Sequence, residues 1–182
     1  LEWASDPRVS SDGETSVIRG EVSEEKFAVF YLSNQKIVGF DTFAEFPKTS
    51  FEKDIKLREK FIAEAGLNSI DKAGLEKILE NKQFSNIKLV QGDILETVPL
   101  YLQENKEIKI SLLHIDVDIY EPTKVILESF YDKVIEGGII ILDDYNVFPG
   151  ETHAVDEFFK NKDIQIEQLS FSKKRPSFII KK

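Results

Sequence analysis

SLLHIDVDIYEPTKVILESF, residues 111–130, decides the fold. Its first half is an apolar run that ends on Asp116 and Asp118. Its second half sets Ile126 and Phe130 four apart, with Val134 four further on. The first half reads as a buried strand and the second as a helix with one apolar stripe. Pro122 suits a first helical turn, and Gly137-Gly138 are expected to stop the helix before the next strand. The same grammar recurs outward from this unit. KIVGFD (36–41), NIKLVQGD (86–93), IKISLLHID (108–116) and GGIIILDD (137–144) read as strands. They are β-branched and apolar without strict alternation, as parallel strands covered on both faces are. Helical stretches fall at 52–65, 71–82, 94–105, 121–135 and 152–161. Strands alternating with helices predict an α/β fold with a largely parallel sheet. The tail differs: DIQIEQLSF, the basic turn SKKRP and SFIIKK read as two strands joined by a loop, an antiparallel pair at the sheet end.

Composition narrows the function classes. The chain has 182 residues, enough for one domain with a full core, and 41% of them are hydrophobic. A net charge of -9 argues against nucleic acid or an anionic membrane as partner. No apolar run approaches the ~20 residues of a membrane span, and no signal peptide is seen, so the expected location is cytoplasmic. Without cysteine, neither a disulfide nor cysteine-ligated zinc can form. The expected organisation is one domain over residues 1–182. Residues 1–35 show no clean strand. The chain starts at Leu1 and contains no methionine, which suggests that part of the front is missing.

Acids fall at the strand ends: Asp41, Asp93, Asp116, and the Asp143-Asp144 pair. In an open parallel sheet the carboxyl ends of the strands line one edge, where ligands bind. A single aspartate there is expected as the cap of the following helix, but five at successive strand ends call for more. Asp116 and Asp118, two apart, point to one side of an extended chain. Like charges this close repel unless neutralised, and a divalent cation with oxygen ligands does so: magnesium, manganese or calcium rather than zinc. His114 faces the same side as Asp116 if the alternation holds. His153, at the start of the last helix, is the better placed histidine for catalysis.

GFDTFAEFP (39–47), LVQGDILETVP (89–99), SLLHIDVDIYEPTKVILESF (111–130) and GGIIILDDYNVFPGETHAVDEFF (137–159) together resemble the macrocin O-methyltransferase (TylF) family. The resemblance covers residues 36 to about 160, and the D-x-D-x-Y-E-x-T block followed by G-G-x-x-x-x-D-D-Y is its most specific part. It implies a three-layer, Rossmann-like class I methyltransferase. Its seven-stranded sheet would be mostly parallel, with one antiparallel strand near the C-terminus. It also implies S-adenosylmethionine and magnesium as cofactors, and a sugar or other diol-bearing small molecule as methyl acceptor. By the same resemblance, Asp41 takes the cofactor ribose with Thr42 beside it. Gly92, Asp93 and Ile94 form the adenine side. Asp116, Asp143 and Asp144 hold the metal. Asp116 also borders the cofactor and serves as general base. Asp118, the second acid of the block, supports the catalytic site, and Tyr120 and Tyr145 line the substrate side; His153 joins the catalytic candidates by its position alone. Related enzymes are often homo-oligomers. The family's first strand and Gly-rich turn have no good match between Leu1 and Asn34.

Two rival readings remain. HIDVDIYEPT (114–123) also resembles the aspartate block of haloacid-dehalogenase-type magnesium phosphatases, although in those it belongs on the first strand. The other rival is a relative that binds cofactor without catalysis.

Overall fold

The computed structural model describes residues 28–32, 36–66, 70–170 and 175–182. They form an α/β unit around one sheet. Its strands are β1 (Ala28–Leu32), β2 (Lys36–Asp41), β3 (Ile87–Gln91), β4 (Ile110–Ile115), β5 (Val134–Leu142), β6 (Glu167–Gln168) and β7 (Ser177–Ile180). The helices are α1 (Glu52–Ala65), α2 (Lys72–Asn81), α3 (Ile94–Glu104), α4 (Tyr120–Phe130) and α5 (Pro149–Phe159). The expected elements from residue 36 onward are thus present, with ends shifted by a few residues.

The sheet order is β3-β2-β1-β4-β5-β7-β6. β2 pairs parallel with β3, and β4 with β5. β1 is antiparallel to both β2 and β4, and β7 is antiparallel to both β5 and β6. Strands β2 to β6 therefore share one direction, and β1 and β7 oppose it. The tail pair runs antiparallel as expected. The front departs from expectation twice: 28–32 is a strand where none was read, and it is a second reversed strand in the sheet. Connection length explains the reversal. Only residues 33–35 separate β1 from β2, whereas a parallel pair needs a crossover of about a dozen residues. The expected first strand and Gly-rich turn would fall largely on residues 1–27, which lie outside the described residues.

One face of the sheet carries the core. Val38, Phe40, Ile110, Leu113, Ile115, Ile140, Leu142 and Ile179 from the strands meet Val98 and Tyr101 of α3, Ile126, Leu127 and Phe130 of α4, and Val155 and Phe159 of α5. Phe40 is fully buried, with Tyr101 edge-on at 5.3 Å and Phe130 tilted at 5.9 Å. Burying such a ring contributes about 2–3 kcal/mol. Helices α3, α4 and α5 pack side by side over this face. On the other face Ile139 and Ile180, partners across β5 and β7, remain 39% and 49% exposed.

Gly137-Gly138 do not stop the helix. α4 ends at Phe130, a 3-10 turn follows over Tyr131–Lys133, and β5 starts at Val134. Both glycines lie inside β5, where the register against β4 jumps from Ile110↔Val134 to Leu112↔Ile139. Gly137 has φ 74, and a Cβ on Gly138 would lie 2.8 Å from the Ile135 carbonyl oxygen. They form a bulge, a common use of glycine inside a strand. Val134 leaves the helical stripe yet stays buried at the start of the strand.

Candidate functional site

β2, β3, β4 and β5 run the same way, so their C-terminal ends reach one edge. That edge carries Asp41, Gly92-Asp93, Asp116 and Asp143-Asp144 just at or beyond the last strand residues. Backbone hydrogen bonds hold the ends level. The Gly92 N–H donates to the Asp41 carbonyl at 2.9 Å, and the Asp143 N–H to the Ile115 carbonyl at 3.0 Å. Each strand then turns through a left-handed residue: Phe43 (φ 51), Gly92 (φ 139), Asp118 (φ 59) and Asn146 (φ 66). Three of these are not glycine, and such backbone costs about 1–3 kcal/mol each and gathers at functional sites.

On the β2–β3 side, the Phe43 N–H donates to Asp41 Oδ1, so the carboxylate is oriented by its own turn. Thr42 Oγ1 donates to the Glu45 carbonyl and accepts from the Ala44 N–H. Asp93 is the N-cap of α3, its Oδ1 accepting from the Leu95 N–H at 2.9 Å. The capping expectation therefore holds for Asp93. Ile94 packs its side chain into the core, so only its backbone faces the rim. β1 stands between β2 and β4. Strands ~4.8 Å apart thus put roughly 10 Å between the Asp41 and Asp116 ends.

On the β4–β5 side, ligand-type atoms of His114, Asp116 and Asp143 lie within 4.8 Å of one another. His114 Nε2 is 3.7 Å from Asp143 Oδ1, too far for a hydrogen bond. Asp144 lies beside them, buried. It is 1% exposed, its Oδ1 accepts from Arg175 Nη1 at 2.8 Å, and its N–H donates to Glu151 Oε1 at 3.1 Å. Arg175 Nη1 also lies 3.8 Å from Asp143 Oδ2. Burial works against the charge on this guanidinium, but Asp144 and Asp143 outweigh it and raise its pKa. Asp118 is fully buried, and its carbonyl accepts from the Glu151 N–H.

Glu151 and Arg175 carry no sequence signal as site residues; one reads as an ordinary first-turn helix acid and the other as part of a basic turn. Glu151 is wholly buried, and its Oε2 finds no hydrogen-bond partner among the described residues. Burial first, then Asp144 and Asp118, raises its pKa well above the usual carboxylate range. An acid whose folded pKa exceeds its unfolded value binds more protons when folded, so stability falls as pH rises above about 4.5. Glu151→Gln should remove that loss. In divalent-free buffer, the denaturation midpoint of the variant should exceed wild type at pH 8 and match it near pH 4. Equal midpoints at both pH values would contradict the assignment.

His153 joins a ring cluster rather than the acids. It stacks on Phe51 at 5.2 Å, beside Tyr120 at 5.6 Å. The Tyr120 hydroxyl donates to Glu157 at 2.6 Å. The Tyr145 hydroxyl donates to Asp156 at 2.9 Å, and burial with that contact pushes its pKa up to about 12. The histidine that the fold brings to the acids is His114.

The 116–123 block also has structural work of its own. The Tyr120 N–H donates to Asp54 Oδ2, Glu121 accepts from Ser50 and Thr49, and the Thr123 hydroxyl donates to the Ile119 carbonyl. Asp54 on α1, fully buried, also accepts from the Gly150 N–H at 2.8 Å. One carboxylate thus holds the first turns of α4 and α5, which flank the rim.

No described helix is long and apolar enough to cross a membrane. Among known proteins, residues 15–171 match the family described as macrocin O-methyltransferase (TylF). A demethyldecarbamoylnovobiocin O-methyltransferase from Streptomyces niveus is 38% identical over 64 residues, covering 35% of this chain and 24% of that protein. The crystal structure of CalS11, a calicheamicin methyltransferase, superposes with a TM-score of 0.65 at 28% identity, covering 80% of this chain and 60% of that one. The O-methyltransferase NovP gives a TM-score of 0.65 at 21% identity, covering 78% and 58%, a likeness of fold. The chain therefore spans about a quarter of the curated relative and three-fifths of the solved ones. Because the family match takes in most of its length, the chain belongs to the macrocin O-methyltransferase (TylF) family.

Proposed function

We propose that the chain is a methyltransferase domain that moves a methyl group from S-adenosylmethionine to a hydroxyl of a sugar or sugar-bearing small molecule, with help from a divalent cation. One observation carries this reading. Asp116 and Asp143, 27 positions apart, converge with His114 at the strand edge where Asp41 and Gly92-Asp93 also end. Similarity to CalS11, described as a TDP-rhamnose 3'-O-methyltransferase, supports a sugar acceptor. Membership of a methyltransferase family leaves the phosphatase reading without support.

The residues fit both groups. Asp41, oriented at the end of β2, would accept from the two ribose hydroxyls, and the backbone of Gly92, Asp93 and Ile94 would border the adenine. Asp116 and Asp143 would hold the cation, with Asp144 behind them joined to Arg175. When bound, S-adenosylmethionine supplies an electrophilic methyl group, and the cation lowers the pKa of an acceptor hydroxyl. Asp116 takes the hydroxyl proton as general base. Asp118, fully buried and left-handed, turns the chain just beyond Asp116. Tyr145, its pKa pushed up to about 12, stays protonated at neutral pH, with its hydroxyl proton held by Asp156. Phe51, Tyr120 and His153 give that side an aromatic wall on which a sugar ring can lie. Holding oxygen and methyl in line supplies much of the remaining rate.

The test is a mass-spectrometric methylation assay with S-adenosylmethionine, magnesium and a panel of nucleotide-linked deoxysugars, beside a catechol. Transfer to at least one sugar hydroxyl, stopped by a chelator, is the expected result. Chelator-resistant transfer would remove the cation from the account. Failure to bind S-adenosylmethionine by calorimetry would remove the activity.

A further inference from the structure

We propose that His114 supplies a nitrogen ligand, so that the rim is a one-histidine, two-carboxylate site selective for a first-row transition dication such as Mn2+ over Mg2+. The inference rests on the cation in the proposed function and goes on to name its class. Three observations meet here. The ligand-type atoms of His114, Asp116 and Asp143 lie within 4.8 Å of one another. A dication with bonds of ~2.1 Å sets its ligand atoms up to ~4.2 Å apart, so a small inward movement suffices. His114 Nε2 is sealed from solvent and makes no hydrogen bond among the described residues. Its separation from Asp143 Oδ1, 3.7 Å, suits two ligands of one ion better than a direct contact.

The resemblance assigns the third ligand to Asp144. The structure puts that carboxylate against Arg175, with its backbone on Glu151, while the imidazole of His114 faces the gap. Imidazole changes which ion is favoured. Magnesium prefers an all-oxygen octahedron and keeps its waters, whereas manganese, iron and cobalt accept nitrogen readily. β4 directs the choice. His114 pairs with Ile141 in the parallel ladder and lies two residues before Asp116, so both side chains leave the same face of the chain.

The experiment has two arms on the purified chain. Calorimetric titrations with MnCl2 and with MgCl2 compare wild type with His114→Asn and His114→Ala. Electron spin-echo modulation of the Mn2+-loaded wild type looks for nitrogen coupling, and needs no variant to fold. The expected result is nitrogen modulation in wild type, together with a Mn2+ affinity that falls by about 10- to 100-fold on losing the imidazole. Mg2+ affinity should change by less than about threefold, because an all-oxygen ion gains little from nitrogen. Mn2+ binding without nitrogen modulation, and with equal losses for both ions, overturns the role of His114 and leaves the cation in place. No binding of either ion overturns both.

Discussion

Converting both Asp143 and Asp144 to asparagine is expected to cut methyl transfer by on the order of 10³-fold, while affinity for S-adenosylmethionine changes by less than about threefold. The two substitutions keep shape and remove charge. Asp143 is one of the three residues that converge at the rim, and Asp144 holds the guanidinium of Arg175 behind it. Losing both removes a cation ligand and frees Arg175 to turn its charge elsewhere. The proposed cofactor side is built separately. Asp41 is set by its own turn and by the Gly92 N–H, and Asp93 by its cap on α3. Neither depends on the β5 turn. Calorimetry with S-adenosylmethionine beside a methylation assay separates the two effects. Full activity in the double variant would refute the acidic pair, and a parallel collapse of cofactor affinity would show that the two sides are not independent.

Gly150→Ala is expected to cost about 3–5 kcal/mol of folding stability, a large share of the 5–15 kcal/mol typical of a domain. Gly150 is the second residue of α5, packed where α1, α4 and α5 meet. A Cβ there would run into Asp54 Oδ2 and lie 2.5 Å from the backbone nitrogen of Tyr120. Neither neighbour can yield cheaply. The Asp54 carboxylate is fully buried between the Tyr120 and Gly150 N–H groups, and Tyr120 N is main chain. Overpacking alone costs about 1–3 kcal/mol, and each buried group left unsatisfied adds about the same. Urea denaturation measures the shift. Asp54→Ala should lose less than Gly150→Ala, and the double variant should lose less than the sum of the two, because the first change makes room for the second. A shift under ~1 kcal/mol for Gly150→Ala would mean that the three helices are not locked together there.

What the sequence made legible follows from the range of the interactions. The helices after residue 50 and the strands at 36–41, 87–91 and 110–115 rest on local periodicity, which a single sequence displays directly. The acid at each strand end was legible too, since strand direction and topology place those ends on one edge. Three features depended on longer-range facts. The direction of β1 is set by its short link to β2 and by its choice of neighbours, and neither is written in AVFYL itself. Asp54 lies 96 positions from Gly150 and reads as an ordinary acid in the first turn of a helix. Arg175 reaches Asp144 from 31 positions away, out of a turn whose basic residues look solvated. Within the site, residue type and spacing singled out the acids, and alternation put His114 on the side of Asp116. That Asp144 is engaged by Arg175 and by Glu151 depends on contacts that no local pattern displays. Gly137-Gly138 misled because two glycines after a helix look like a stop, and only the pairing with β4 shows the bulge.

The central claim is that a dication sits where β4 and β5 end. Anomalous diffraction from crystals soaked in MnCl2, recorded at the manganese edge, addresses it most directly. The account predicts one strong peak between Asp116 and Asp143, within bonding distance of both and absent after treatment with a chelator. Crystals that diffract well, take up manganese elsewhere on the surface and show no peak at this rim would contradict it.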